Sequence, residues 1–303
     1  MTIARADRLG YVAMRVEDVE RSVEFWTKVV QLEVSDREGD RVYLRGGMQH
    51  HWIVLEPADG APGLARLGVE VASRAELDAI EQRFADAGVA VESGDGFADG
   101  YVDRFVRFND PSGNPIELYH DMVTMAVPPK PVNVELWDVQ HVVLGQTDVK
   151  AAEEFYTDFL GMRVSDRMGR RVTFMHFRNG WHHGIGLGST GRAGLNHICF
   201  QPPDLDNTMR ARARVMHAKI PITRDLLKHG PSGSVGFYCQ GPDTVVEFSF
   251  GARRFGEDEA FKPRLLPTNR ETGDVYQTGL GDAELDILQQ LQRENAESAT
   301  AAG

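Results

Sequence analysis

The chain has few cysteines and no long apolar run. Cys199 and Cys239 are the only cysteines among 303 residues, too few for a disulfide framework. The first residues lack the apolar core of a secretory signal, and no stretch approaches the roughly 20 apolar residues that cross a bilayer. We therefore expect a cytoplasmic protein that does not associate with membranes.

An excess of positive charge is also absent. The 33 lysines and arginines are outnumbered by 45 aspartates and glutamates, which gives a formal net charge of -12. Because nucleic-acid binding depends on clustered Lys and Arg side chains that neutralise phosphates, this balance argues against such a partner. A small molecule is the expected partner.

What the chain does contain is an internal repeat. The segment DVERSVEFWTKVVQLEVSD from Asp18 is echoed by DVKAAEEFYTDFLGMRVSD from Asp148, an offset of 130 residues (148 − 18). Each copy opens with an aspartate suited to capping a helix, and aromatic and apolar residues follow at helical spacing. The length suffices for two such domains, each with its own core.

Each half carries a second helical pattern, SRAELDAIEQRFADAG in the first and DLDNTMRARARVMHA in the second, flanked by β-rich runs such as LGVEVA and NHICFQ. The expected fold class is therefore α+β with two tandem domains. A proline-rich connector suggests domains at residues 1–127 and 132–255. Residues 256–303 form a tail, expected to be loop, then a short helix at LDILQQLQ, then disordered ENAESATAAG.

Three ionisable residues on predicted strands of the second half form a candidate metal site. They are His141 in WDVQHVVL, His197 in GLNHICF and Glu247 in TVVEFSFG. Subtracting the fixed offset of 130 gives their expected first-half counterparts, which are Tyr11, Leu67 and Glu117. Equivalent strands would thus supply ligands that are far apart in sequence, and only the second half keeps the full set.

Two neutral imidazoles and one carboxylate on one face of a metal leave the opposite positions open. Non-haem iron(II) uses this arrangement to bind a substrate and oxygen together, whereas zinc hydrolases use a similar set, so the ligands alone do not identify the metal. Three ordinary buried side chains are the alternative reading. It is disfavoured because burying a carboxylate and two imidazoles without partners costs several kcal/mol.

Over about residues 8–255 the chain resembles the vicinal oxygen chelate superfamily and, within it, the two-domain type I extradiol ring-cleavage dioxygenases. The family motif is matched by His229, GPSGSVG, the pair Phe237–Tyr238, Pro242 and Glu247. It departs at Gly241, where an acidic or amide residue is usual, and at Thr244, where Gly or Pro is expected. These departures put the shape of the turn in doubt rather than the ligand.

A second family motif is the paired histidine of FRNGWHHGIGL. By position, His183 matches the family's acid/base histidine, and His182 precedes it. If the pair lies on a strand, its side chains point to opposite faces, so only His183 faces the pocket. The fixed offset gives Ile53 as its first-half counterpart (183 − 130).

The resemblance implies paired βαβββ modules that form an open barrel in each domain, with a non-catalytic first domain. It also implies an iron(II) site, with manganese(II) as the alternative, a catechol and O2 as reactants, and a homo-oligomer. His183 would act as base and then as acid, Tyr238 would hydrogen-bond the substrate oxygen, and His229 would support the pocket. Arg224 and His182 are candidate substrate contacts.

Other readings stay open at this point. Cys199 is expected to be a small buried residue rather than a ligand, and the pair His50–His51 is expected to have a surface or packing role. A redox-silent isomerase or epimerase of the same superfamily would use the metal as a Lewis acid. A metal-free binding protein would carry apolar residues at the ligand positions.

Overall fold

The computed structural model describes residues 4–97, 100–130, 132–256, 259 and 261–277. The segments LDILQQLQ and ENAESATAAG, for which a helix and disorder were expected, lie outside the described residues. No helix in the described part of the chain combines the length and apolarity that a bilayer crossing needs.

The first sheet is built from two strand–helix–strand–strand–strand modules. The elements of the first module are β1 (Ala6–Val16), α1 (Val19–Phe25), β2 (Glu33–Glu38), β3 (Arg41–Arg45) and β4 (Ile53–Pro57). Those of the second are β5 (Gly63–Val71), α2 (Arg74–Asp86), β6 (Glu92–Asp95), β7 (Val102–Asn109) and β8 (Pro115–Met122). The eight strands lie in the order β2-β3-β4-β1-β5-β8-β7-β6.

The second sheet repeats this plan and adds one strand. The third module consists of β9 (Asp138–Gln146), α3 (Val149–Asp158), β10 (Arg163–Met168), β11 (Val172–His176) and β12 (Ile185–Ser189). The fourth consists of β13 (Gly194–Gln201), α4 (Leu205–His217), β14 (Ile222–Lys228), β15 (Val235–Gln240) and β16 (Val245–Phe250). With the added strand β17 (Arg264–Leu266), the order is β14-β15-β16-β13-β9-β12-β11-β10-β17.

In every module the first strand pairs in parallel with the fourth, and the first strands of the two modules pair antiparallel at the centre of each sheet. No ladder between described residues joins the two ends of a sheet, so both sheets remain open. The predicted α+β class with paired βαβββ modules is confirmed.

The helices begin where the sequence pattern placed them. The carboxylates of Asp18 and Asp148 accept hydrogen bonds from main-chain N–H groups in the first turns of α1 and α3. Such side-chain caps satisfy N–H groups that have no partner inside the helix. After α1 the chain continues as a π-helical turn over Trp26–Val30, and Gln31 ends it in the left-handed region at φ 72°. This turn has no counterpart in α3.

Helix α2 of the first half packs against α3 of the second. The ring of Phe84 stacks on that of Phe159 with 4.7 Å between centroids and also contacts Phe155 and Phe108. Arg83 adds hydrogen bonds to the carbonyl oxygens of Phe159 and Ala4. Apolar residues of both halves thus form one continuous core.

The tail after β16 departs from its expected loop structure. Residues Arg264–Leu266 form β17, which pairs in parallel with β10, and Arg270–Gly273 form the short helix α5. Three strand residues are too short a run to give a recognisable alternating pattern, and the pairing depends on a strand about a hundred residues away. The domain boundaries at residues 127, 132 and 255 stay a prediction.

Replacing Phe84 with alanine should reduce the free energy of unfolding by about 3–5 kcal/mol, because it leaves a large cavity between the two halves. Urea denaturation followed by circular dichroism would measure the change. Phe97→Ala is the matched control, since its side chain is 45% exposed, and its effect should stay within about 0.5 kcal/mol. Equal effects of the two substitutions would contradict the shared core.

Candidate metal centre and active site

Three adjacent strands of the second sheet bring the predicted ligands together. His141 lies on β9, His197 on β13 and Glu247 on β16. The Nε2 atom of His141 lies 3.1 Å from Oε2 of Glu247 and 3.4 Å from Nε2 of His197, and the His197–Glu247 distance is 3.3 Å. This is the one group of three or more potential ligands found among the described residues.

The outer nitrogen of each imidazole faces an amide oxygen. Nδ1 of His141 lies 3.2 Å from Oε1 of Gln140, and Nδ1 of His197 lies 2.9 Å from Oδ1 of Asn196. Gln140 is itself fixed by donation to Gln201 over 2.8 Å. Because an amide oxygen only accepts, both histidines carry their proton on Nδ1 and present the Nε2 lone pair inward.

Two imidazole lone pairs and a carboxylate therefore converge with no hydrogen atom between them. Such a group is repulsive unless a cation occupies its centre. Ligands bound at about 2.1 Å and at right angles lie about 3 Å apart, close to the separations seen here. The donor set thus fits a divalent metal ion with open positions.

Burial reinforces this charge balance. Glu247 is fully buried, and burial alone would raise the pKa of its carboxyl group. The surrounding imidazoles nevertheless hold the pKa of Glu247 well below its usual value. Burial lowers the pKa of His141, which keeps that ring neutral and able to bind a metal.

The three residues open onto a cavity of about 330 Å³, a size ordinary for small-molecule sites. Its lining is largely apolar and includes Val143, Met168, Val172, Phe174 and Pro231. None of these five residues was predicted from the sequence. Apolar strand positions look alike in sequence, so only the alternation along β10 and β11 could have suggested which of them face inward.

His182 and His183 were expected on a strand, but both lie in the segment between β11 and β12. His183 lines the cavity, with its ring centroid 4.0 Å from that of His141. His182 is fully buried behind it and does not line the cavity. The expected contact between His182 and a substrate is therefore not possible in this arrangement. Only His183 faces the cavity, as predicted, but a bend in the chain separates the two side chains rather than the alternation of a strand.

His229 and Tyr238 stand on the other side of Glu247. Nε2 of His229 lies 3.2 Å from Oε1 of Glu247 and 2.8 Å from the hydroxyl oxygen of Tyr238. Since a carboxylate only accepts, the proton between His229 and Glu247 belongs to Nε2 of His229. The Tyr238 hydroxyl then accepts from the same N–H, and its own proton is free for the cavity.

Arg224 also borders the cavity, with its guanidinium 5.1 Å from the centre of the Tyr238 ring. It donates to the carbonyl oxygen of Gly273, which lines the cavity together with Thr272. The tail therefore contributes to the mouth of the site. Cys199 is buried beside Gln140, and burial raises the pKa of its thiol well above the usual value, as befits a packing residue.

Strand registers correct two of the expected first-half counterparts. Val12 pairs with Leu67 as Val142 pairs with Ile198, so the counterpart of His197 is Arg66 rather than Leu67. Val12 also pairs with Ile53 as Val142 pairs with Ile185. The counterpart of His183 is therefore not Ile53.

The residue equivalent to His183 is His51, and the pair His50–His51 repeats His182–His183. The Nδ1 atoms are 3.1 Å apart in the first pair and 3.0 Å apart in the second. Both His50 and His51 are buried, which excludes the surface role considered for them. The fixed offset failed because insertions between strands lengthen it to 132 at this point (183 − 51).

The first domain fills the equivalent of the metal position with arginine. Glu117 accepts from the hydroxyl of Tyr11 at 2.6 Å and from Arg107 at 2.7 Å, and Nε of Arg66 lies 3.3 Å away. Arg66 also donates to the Tyr11 hydroxyl over 2.9 Å. A guanidinium thus supplies the positive charge that the buried carboxylate needs.

Comparison with known proteins gives matches over most of the chain. The model of the Glyoxalase/Bleomycin resistance protein/Dioxygenase superfamily matches residues 8–118 and 138–246. The chain is 31% identical to a biphenyl-2,3-diol 1,2-dioxygenase of Sphingomonas paucimobilis over 277 residues, which cover 84% of this chain and 92% of the relative. It is 28% identical to an iron-dependent extradiol dioxygenase of Rhodococcus jostii, covering 90% and 98%.

Among solved structures, the Mn(II)-bound glyoxalase from Novosphingobium aromaticivorans superposes with a TM-score of 0.84. The match covers 92% of this chain and 93% of the other, at 23% identity, and therefore speaks for the fold. The superfamily model and the 31% identical relative go further. The chain belongs to the Glyoxalase/Bleomycin resistance protein/Dioxygenase superfamily and, within it, to the extradiol dioxygenases.

Proposed function

We propose that this enzyme opens the ring of a catechol beside its two hydroxyl groups, using O2 and an iron(II) ion held by His141, His197 and Glu247. Both oxygen atoms of O2 enter the product. The observation that carries the proposal is the convergence of two imidazole lone pairs and one carboxylate at the end of a largely apolar cavity. That cavity suits an aromatic ring, and the ligand face leaves room for two reactants.

Similarity to the iron-dependent extradiol dioxygenase of Rhodococcus jostii favours iron over zinc and manganese. When bound, an iron(II) ion would supply both a common attachment for the two reactants and a route for electrons between them. Manganese(II) remains the alternative occupant, and it enters the experiments below as a comparison.

His183 is placed to exchange protons with the substrate. Its ring lines the cavity beside His141, and burial lowers its pKa well below the usual value, so it is neutral before the reaction. A neutral imidazole can take the proton of a substrate hydroxyl and later return it to a leaving oxygen. Phe174 packs against His183 with 4.9 Å between ring centroids and limits rotation of the imidazole.

Tyr238 and His229 would orient the substrate oxygen. Because His229 donates to Glu247 and to the Tyr238 oxygen, the Tyr238 O–H can donate to an oxygen in the cavity. Burial raises the pKa of Tyr238 well above its usual value, which keeps the phenol protonated for this purpose. The largely apolar lining lowers the local polarity and so strengthens each of these hydrogen bonds.

The first domain is proposed to have no catalytic part, because Arg66 and Arg107 already neutralise Glu117. A homo-oligomeric state and a cytoplasmic location stay predictions. Light scattering on the purified protein would measure the number of subunits.

The proposed activity has a direct test. The protein is purified without oxygen, loaded with iron(II), and offered a panel of catechols in air. We expect oxygen uptake and a yellow ring-opened product, with weaker or no activity after zinc loading. Manganese loading distinguishes the two redox metals. Absence of both signals, together with full activity of the zinc form on another substrate, would contradict ring cleavage and favour a Lewis-acid isomerase.

Glu247→Gln should abolish stoichiometric iron binding, because the site loses its only anionic ligand. Iron content after desalting, measured by mass spectrometry, is the readout. Glu117→Gln is the matched control at the repeat-equivalent position, and it should keep one iron ion per folded chain. Loss of iron in both variants, or in neither, would count against the assigned ligands.

His183→Phe should keep iron but lower kcat by about 100-fold to 10,000-fold, the range typical of a lost general acid or base. The aromatic ring preserves the packing against Phe174. Steady-state oxygen uptake and iron content measured on the same sample separate the two effects. A variant with unchanged kcat would remove His183 from the mechanism.

A further inference from the structure

A line of hydrogen bonds leads from His183 away from the cavity and into the protein. Nδ1 of His183 lies 3.0 Å from Nδ1 of His182, and Nε2 of His182 lies 2.8 Å from Oδ2 of Asp166. Asp166 and His182 are both fully buried. Neither side chain lines the cavity, so any effect on the substrate must pass through His183.

We propose that Asp166 and His182 are positioning residues that select the tautomer of His183. This proposal rests on the proposed function, in which His183 exchanges a proton with the substrate. In this tautomer Nδ1 of His183 carries the proton and Nε2 carries the lone pair that receives a proton from the substrate. Arg264, which follows the region matched by the superfamily model, completes the arrangement by holding Asp166.

The negative charge of Asp166 is secured by Arg264. The guanidinium donates to Oδ1 over 2.9 Å and to Oδ2 over 2.5 Å, and the main-chain N–H of Arg264 donates to Oδ1 over 3.1 Å. Burial alone would raise the pKa of Asp166, but the hydrogen bonds from Arg264 and His182 bring this pKa below its usual value. Asp166 is therefore an ionised carboxylate that only accepts.

The tautomers follow one from the other. Because Asp166 only accepts, Nε2 of His182 must carry a proton. Burial lowers the pKa of His182, so this ring is neutral and its Nδ1 is a lone pair. The 3.0 Å contact then requires the proton on Nδ1 of His183, which leaves Nε2 of His183 unprotonated.

This tautomer allows a reversible proton transfer between the substrate and His183. A substrate O–H bond breaks, its proton forms a bond to Nε2 of His183, and the ring becomes an imidazolium that still donates to His182 through Nδ1. Return of the Nε2 proton to an oxygen of the opened ring restores the starting tautomer. With the other tautomer, Nε2 would already be protonated and could not act as the base.

The first domain contains an aspartate and a histidine pair at the equivalent positions, but the aspartate is hydrogen-bonded to a tyrosine instead of to the histidine pair. Asp36 is the counterpart of Asp166 (166 − 36 = 130), and His50–His51 is the counterpart of the histidine pair. The Asp36 carboxylate accepts from the hydroxyl of Tyr101 at 2.5 Å, and the Tyr101 ring stacks on His50 at 3.6 Å between centroids. Asp36 is thus a matched control position with no path to the cavity.

Asp166→Asn tests the proposal. An amide oxygen at the Oδ1 position keeps both donors from Arg264. The NH2 group at the Oδ2 position then loses only the contact with Nη2 of Arg264 and faces His182, whose ring can change tautomer. Both histidines then take the opposite tautomer. We expect kcat to fall by about 100-fold or more, with KM changed by less than about threefold and iron content unchanged. Asp36→Asn should leave kcat unaltered.

The tautomers of His182 and His183 can also be determined spectroscopically, without any enzymatic reaction. Nitrogen-15 spectra of histidine-labelled unaltered protein, loaded with diamagnetic zinc, distinguish Nδ1–H from Nε2–H, and His183→Phe identifies the signal by its loss. We expect Nδ1–H for His183 and Nε2–H for His182. The reverse pattern overturns the proposal, even if Asp166→Asn fails to fold.

These outcomes are separate from those of the proposed function. If the unaltered protein cleaves no catechol, the reaction assignment fails, whereas the spectra still decide the tautomers. If it does cleave catechols and Asp166→Asn retains full kcat with iron bound, the positioning role alone is wrong.

Discussion

A buried carboxylate beside the central strand pair of each sheet is the constraint on which the rest of this molecule depends. Glu247 and Glu117 are both almost completely buried, on equivalent strands. A charge in such a place must be neutralised, because its transfer from water is otherwise too costly. In the second domain two imidazoles complete the proposed metal site. In the first domain Arg66 and Arg107 provide the compensating charge directly.

The duplicated architecture explains how one fold supports both solutions. In each domain the central antiparallel strand pair and its parallel neighbours bring residues from three strands to one point. The residue on the second module's first strand is His197 in the proposed metal site and Arg66 in the ion pair of the first domain. The backbone framework stays the same, so the loss of a ligand does not require a change of fold.

Around the proposed metal position, the orientation of each imidazole is set by an oxygen atom that accepts its hydrogen bond. Gln140 and Asn196 turn Nε2 of their histidines inward, and Asp166 does the same for His183 at one remove. Each partner acts by fixing a proton on one nitrogen, which leaves the other nitrogen for the metal or for the substrate. The reactive groups are thus arranged before any substrate arrives.

The sequence alone determined the repeat, the α+β class and the helix starts, because these depend on local periodicity and capping. It also identified the residues that meet at the proposed metal site. Only the tertiary structure decided the true counterparts, since insertions between strands shift the offset, and registers alone relate Arg66 to His197. The link from Asp166 to Arg264 joins residues 98 positions apart through a strand too short to predict. Local patterns carry no record of such pairings, which depend on how strands are placed side by side.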